Sequence, residues 1–162
     1  MTMEQRPLGR TGAEVGVVGL GTWQLGGDWG DVSEDDAADV LEAALDAGVD
    51  LLDTADVYGD GRSEERIRRA LATRSDRPFV ATKAGRRADP FAAETYTPEN
   101  LRAWIDRSRR NLGVDTLDLV QLHCPPPAVY SDQHVFDALE DLVDTEAIAA
   151  YGVSVETVAE GL

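Results

Sequence analysis

Asp53-Thr54-Ala55-Asp56-Val57-Tyr58-Gly59 follows the largely apolar run Val49-Asp50-Leu51-Leu52 and precedes a helix that the sequence starts near Ser63. An acid therefore closes a strand, and a phenol stands in the loop just past it. Two later strands end in the same way. Phe79-Val80-Ala81-Thr82 leads into Lys83, and Leu117-Asp118-Leu119-Val120-Gln121-Leu122 leads into His123. Four ionisable groups of four chemical types thus fall at or just beyond strand C-termini, the edge on which parallel α/β proteins build their active sites.

Outward from that stretch, strand and helix alternate. Turn glycines at Gly9 and Gly12 and the run Val15-Gly16-Val17-Val18 predict an N-terminal hairpin leading into a strand over Val17 to Leu20. Trp23 to Asp31, rich in Gly and Trp, reads as a loop. Ser33 is placed to cap a helix with Asp36 in the capping-box position, an apolar stripe of Ala37, Val40, Leu41, Ala44 and Leu45, and Gly48 as its stop. A strand over Val49 to Asp53 follows. The helix from Ser63 turns Ile67, Ala70 and Leu71 inward and leaves Arg66, Arg68 and Arg69 on a solvated face. After the strand Phe79 to Lys83 and a long loop, Ala84 to Tyr96, Thr97-Pro98 gives an N-cap and first-turn proline to a helix striped by Leu101, Trp104, Ile105, Ser108 and Leu112 and ended by Gly113.

The strand Leu117 to Leu122 runs into Pro125-Pro126-Pro127, which forces extended chain. Ser131 is the predicted cap of a fourth helix with Phe136, Leu139, Leu142 and Val143 buried. A strand over Ala149 to Ser154 and a helical start at Glu156 close the sequence. The repeat is roughly thirty residues, the size of a βαβ unit. Strands that are nearly continuous apolar runs are covered on both faces and belong to a parallel sheet. The prediction is an α/β domain of five strands and four complete helices over residues 1–162, with the hairpin in 1–16.

Composition narrows the function. The chain has 162 residues, 43% of them hydrophobic, and a formal net charge of −16. Such acidity disfavours nucleic acid and anionic membrane partners, which need a basic patch. No apolar run reaches the eighteen or so residues of a membrane span. Met1 to Arg10 lacks a charged-then-apolar leader, so the expectation is no signal peptide and a cytoplasmic place. A lone cysteine, Cys124, fits a reducing compartment and reads as a small buried hydrophobe. Lys83 is the single lysine among 15 basic residues. GC-rich coding and adaptation to high salt both account for that pattern.

Together, Asp53, Tyr58, Lys83 and His123 form a chemical set. A phenol gives up its proton more readily beside an ammonium, a carboxylate holds that ammonium in place, and an imidazole orients a carbonyl oxygen. The set suits protonation of an alkoxide as a hydride reaches a carbonyl, and a nicotinamide has to supply the hydride. Each residue also has a plain structural reading: loop acceptor, surface charge, packing ring, satisfied histidine. His134 reads as surface, and Arg86-Arg87 as a solvated pair. Two histidines eleven residues apart, with no HxxxH or CxxC, make no metal site. Gly19-Leu20-Gly21-Thr22-Trp23 fails as a Rossmann loop because Gln24 stands at the third glycine position.

These residues resemble the aldo-keto reductase family. Leu8-Gly9-Arg10-Thr11-Gly12 and Val18-Gly19-Leu20-Gly21-Thr22-Trp23 are similar to its opening, and Leu52 to Gly59 with Ser63-Glu64 to its first signature. Thr82-Lys83, Leu119 to His123 and Tyr151-Gly152-Val153-Ser154 are similar to its later strand ends. The resemblance implies a (β/α)8 TIM barrel, of which about the first five βα units are present, and NADPH-dependent reduction of aldehydes and ketones, with NADH left open. It implies Tyr58 as general acid, Lys83 and Asp53 as the pair that tunes it, and His123 as the group orienting the carbonyl. Gly21, Thr22, Trp23, Asp53 and Ser154 would meet the cofactor, and Trp23, Tyr58 and His123 would line the substrate pocket. Val155 stands where the family usually has Asn, which removes one amide contact. A barrel of this type needs about 250 residues, so the expectation is a truncated chain that self-associates or is completed by a C-terminal half. The alternatives are a non-catalytic dinucleotide-sensing or partner-binding relative or remnant, and an isomerase using Lys83 as a Schiff base.

Overall fold

In the computed structural model residues 3–27 and 30–162 are described. Asp28 and Trp29, part of the predicted Trp23–Asp31 loop, lie outside them, as do Met1 and Thr2 of the predicted leaderless N-terminus. A hairpin of β1 (Gln5–Pro7) and β2 (Glu14–Gly16) opens the chain, with Arg6 opposite Val15. Five parallel strands follow in sequence order: β3 (Leu20–Gly21), β4 (Leu51–Asp53), β5 (Phe79–Ala84), β6 (Leu119–His123) and β7 (Tyr151–Ser154). The connecting helices are α1 (Glu34–Asp46), α2 (Arg62–Leu71), α3 (Pro98–Leu112) and α4 (Gln133–Asp144), and a short α5 (Val158–Gly161) ends the chain. This is a partial TIM barrel, with β3 and β7 at the two ends of the described sheet. No described helix is long and apolar enough to cross a membrane.

Most local signals act as their chemistry dictates. Ser33 Oγ accepts the Asp36 amide, Thr97 Oγ1 accepts the Asn100 amide with Pro98 behind it, and Gly48 (φ 89) and Gly113 (φ 70) end their helices in left-handed conformation. Outward-facing strand residues Leu52, Val120 and Leu122 pack under Leu41, Ile67, Leu101, Ile105, Leu139 and Leu142 of the helices.

The structure corrects several expectations. Val17 and Val18 are exposed and lie outside any strand; the paired segment is Leu20–Gly21. The strand predicted from Val49 begins at Leu51, and the one predicted from Ala149 begins at Tyr151. The helix predicted to start near Ser63 begins at Arg62, with Gly61 at the cap position at φ 94 and the Ser63 hydroxyl in tertiary bonds. Asp132 caps α4 in place of Ser131, which ends a 3₁₀ turn over Pro127–Ser131. Val135 and Ala138 take core positions on α4, with Phe136 and Val143 flanking them half-buried. Thr157, with a full capping box to Glu160, starts α5. Arg66 is not solvated: it is 6% exposed, bonded to Glu34 Oε1 at 3.0 Å and to the carbonyls of Leu25 and Val32. A charge that closes a loop from a helix flank carries no periodic signature that marks it as buried.

Candidate active site

Pairing register assembles the site. Gly21 lies opposite Asp53, Asp53 opposite Ala81, Lys83 opposite Gln121, and His123 opposite Ser154. Alternate residues of a strand share a face. Asp53, Lys83, His123 and Ser154 therefore climb one face of the sheet as a staircase toward its C-terminal edge. Lys83 sits two residues beyond the partner of Asp53, and His123 two beyond the partner of Lys83.

Lys83 is the hub. It is 6% exposed, and its Nζ donates to Asp53 Oδ1 at 2.6 Å, to Thr54 O at 2.9 Å and, longer, toward Tyr58 Oη at 3.4 Å. Nζ also lies 5.2 Å from the Tyr58 ring centroid. A buried ammonium bonded to a carboxylate and a carbonyl has its donors satisfied. The Tyr58 ring meets His123 edge-on at 5.9 Å and 87°, and meets Trp23 at 6.5 Å. Burial, then the charges of Lys83 and Arg86, pushes the His123 imidazole down to about 4. It is neutral at neutral pH, and its buried Nδ1 has no hydrogen-bond partner among the described residues.

Thr22 turns inward rather than toward the site. Its Oγ1 donates to Asp53 O at 2.9 Å and accepts from Ser63 Oγ at 2.8 Å, while its backbone N donates to Asp53 O at 2.9 Å and its carbonyl accepts from Leu25 N and Ser63 Oγ, both at 3.0 Å. A Cβ on Gly21 would meet no atom within 4 Å, and Trp23 is 40% exposed beside it. Ser154 Oγ lies 3.6 Å from Cys124 Sγ. Cys124 is half-buried at φ 45 rather than a packed hydrophobe, and Val155 is exposed. Arg86 and Arg87 are not a matched solvated pair. Arg86 is exposed, its guanidinium 5.2 Å from the Phe91 ring, while Arg87 binds Asp60 at 3.1 Å. His134 is on the surface of the first turn of α4.

Three groups escaped the sequence reading. Asp56 is fully buried, and neither of its carboxylate oxygens has a partner among the described residues. Glu64, also fully buried, accepts Thr82 Oγ1 at 2.6 Å and Asn111 Nδ2 at 2.8 Å. Arg107 reaches from α3 into the Tyr58 loop. The available signal was the α3 flank, where Trp104, Arg107, Ser108 and Asn111 recur at helical spacing.

Residues 17–161 match the Aldo/keto reductase family. The chain belongs to that family. It is 34% identical over 158 residues to the aldo-keto reductase YhdN of Bacillus subtilis, covering 94% of this chain and 47% of that protein. Its fold is similar to that of the aldo-keto reductase AKR11C1 of Bacillus halodurans in the holo form: TM-score 0.82, 30% identity, 95% of this chain and 51% of that one. It is also similar to an aldo-keto reductase of Klebsiella pneumoniae in complex with NADPH, with TM-score 0.73, 28% identity, 91% of this chain and 48% of that one. The chain spans about half the length of these relatives.

Proposed function

We propose that the protein reduces an aldehyde or ketone to the corresponding alcohol with a reduced nicotinamide cofactor, NADPH first and NADH as comparator. The observation that carries this reading is the contact of one buried ammonium, Lys83, with Asp53, the Thr54 carbonyl and the Tyr58 phenol. Its family membership and a relative that binds NADPH support it.

In this reading Tyr58 donates its proton to the carbonyl oxygen as charge develops there. Lys83 stabilises the negative charge left on the phenol, and Asp53 holds Lys83 in place. The neutral His123 ring offers an N–H to the same carbonyl oxygen without bringing a second positive charge beside Lys83. Trp23, Tyr58 and His123 wall the carbonyl substrate. The nicotinamide, when bound, supplies the hydride. The Gly21–Thr22–Trp23 backbone, Asp53 and Ser154 would hold it, and their surface suits a flat amide-bearing ring: open space over Gly21, polar groups at Asp53 and Ser154, and an aromatic wall at Trp23. We also assign the closure of the barrel to further strands, from a C-terminal half or a second copy, because among the described residues β3 and β7 pair on one side only.

Fluorescence titration with NADPH, followed by its oxidation in the presence of benzaldehyde or a simple ketone, tests the reading. Saturable binding with aldehyde-dependent oxidation is expected. Binding without oxidation favours a cofactor-sensing role, and no binding contradicts both.

A further inference from the structure

Tyr58 stands on a tightly turned loop, its carbonyl bonded by Ser63 N at 3.2 Å. Between β4 and α2, Gly59, Asp60 and Gly61 have φ values of 60, 54 and 94. Three successive residues thus lie in the left-handed region, and the middle one carries a Cβ at some conformational cost. The internal bonds are short-range turns, Tyr58 N to Ala55 O at 3.1 Å and Asp60 N to Val57 O at 3.1 Å. From the sheet side two backbone bonds reach the loop, both before Tyr58: Thr54 N to Ala81 O at 2.9 Å and Asp56 N to Lys83 O at 3.2 Å.

On the outer side one guanidinium grips two of the loop's carbonyls. Arg107 Nη1 donates to Asp56 O at 3.0 Å, and Nη2 donates to Asp60 O at 2.6 Å and Asp60 Oδ1 at 2.7 Å. Arg107 thereby ties the carbonyls two residues before and two residues after Tyr58. Arg87 Nη2 donates to the same Asp60 carboxylate at 3.1 Å. We infer that Arg107, seconded by Arg87 through Asp60, is a positioning residue that fixes the Tyr58 phenol against Lys83 and His123.

A planar fork with several fixed donors can span two carbonyls and a carboxylate at once; a lysine ammonium, a single point of charge, cannot. The geometry also shows why the position matters. Tyr58 Oη is already 3.4 Å from Lys83 Nζ, at the long limit of a hydrogen bond. A further displacement of about 1 Å separates them, and an error of that size at a reacting group costs about 100-fold in rate.

This inference rests on the proposed reductase activity for its kinetic readout, so the test carries a second readout that does not. In the full chain, Arg107→Ala, Arg107→Lys and Asp60→Asn are compared with the parent. The measurements are kcat, KM, NADPH affinity, and amide hydrogen exchange of residues 56–62 without substrate. For Arg107→Ala, kcat is expected to fall about 30- to 100-fold, with KM and NADPH affinity within about threefold. Arg107→Lys should recover little of it. Millimolar guanidinium ion, but not methylammonium, should restore about tenfold of the lost rate in Arg107→Ala. Exchange across residues 56–62 should quicken about tenfold while the α3 amides keep their protection. Asp60→Asn, which keeps a residue tolerant of the left-handed conformation, should shift kcat the same way by a smaller factor.

Parental kcat in Arg107→Ala overturns the inference, as does an equal loss of α3 protection and cofactor affinity. Should Arg107→Ala fail to fold, Arg107→Lys and Asp60→Asn both at parental kcat overturn it. A parent without NADPH-dependent turnover contradicts the proposed activity alone. Loop exchange then decides the role of Arg107, with parental exchange in Arg107→Ala counting against it.

Discussion

Burial drives His123 and Asp56 toward neutrality from opposite sides, one losing its proton and the other keeping it. His123 loses its charge to burial and to the nearby Lys83 and Arg86, so its titration falls from 6.5 to about 4. NMR of the imidazole should show a neutral ring from pH 8 down to about 5. Because the unfolded chain takes up that proton near 6.5, the stability His123 contributes is present above that value and is lost as pH falls toward 4. Asp56 is raised from 3.8 to about 7, first by burial and then by Glu64 and Asp60, against the partial relief of Arg87 and Arg107. The folded protein holds a proton there that the unfolded chain has released, so stability falls as pH rises from about 4 through 7. Asp56→Asn should therefore stabilise the protein at pH 8, by about 2–4 kcal/mol, and flatten the dependence of Tm on pH above 4. An unchanged or lower Tm at pH 8 would contradict that account. Asp56 shows where residue-level reading stops. Its place in Asp53–Gly59 is legible, but which of two acids three residues apart faces the lysine and which the helices depends on how the chain turns after Asp53.

Elements carry what sequence periodicity shows well. The caps at Ser33 and Thr97, the stops at Gly48 and Gly113, and the inward stripe of α3 follow from side-chain chemistry within one turn of helix. The α2 start was legible to within a residue but its cap was not, because Gly61 takes the cap position and Ser63 bonds to Thr22 O and Thr22 Oγ1. Neither Arg66 nor Arg107 reveals its tertiary bonds in the sequence, since loop carbonyls from distant segments complete them. One contact between elements is equally hidden. Gly59 packs on the backbone of the 3₁₀ turn Trp23–Gly26, and a Cβ on Gly59 would collide with Gly26 O. Gly59→Ala should cost about 1–3 kcal/mol in stability, from a left-handed conformation now bearing a Cβ, and should lower turnover more than Gly12→Ala. Gly12 also has positive φ but meets nothing within 4 Å. Equal effects of the two substitutions on turnover would mean that the Gly26–Gly59 contact does not place Tyr58.

Across the whole molecule, the parallel sheet and the gathering of Asp53, Lys83 and His123 at its C-terminal edge were legible because each lies at or within one residue of its strand's end. How the staircase meets Tyr58 was not, because the loop after β4 is set by Lys83, Arg107 and Gly26 together. The described sheet ends in two open edges. The 162-residue chain alone is accordingly expected to sediment above its 17.5 kDa mass; one compact 17.5 kDa species melting cooperatively would contradict that expectation. The central claim, that the phenol of residue 58 delivers a proton prompted by the neighbouring ammonium, is tested most directly by Tyr58→Phe. NADPH-dependent aldehyde turnover should fall by at least about 100-fold while NADPH affinity stays within about threefold, since only the proton donor is removed. Turnover comparable to the parent would contradict it.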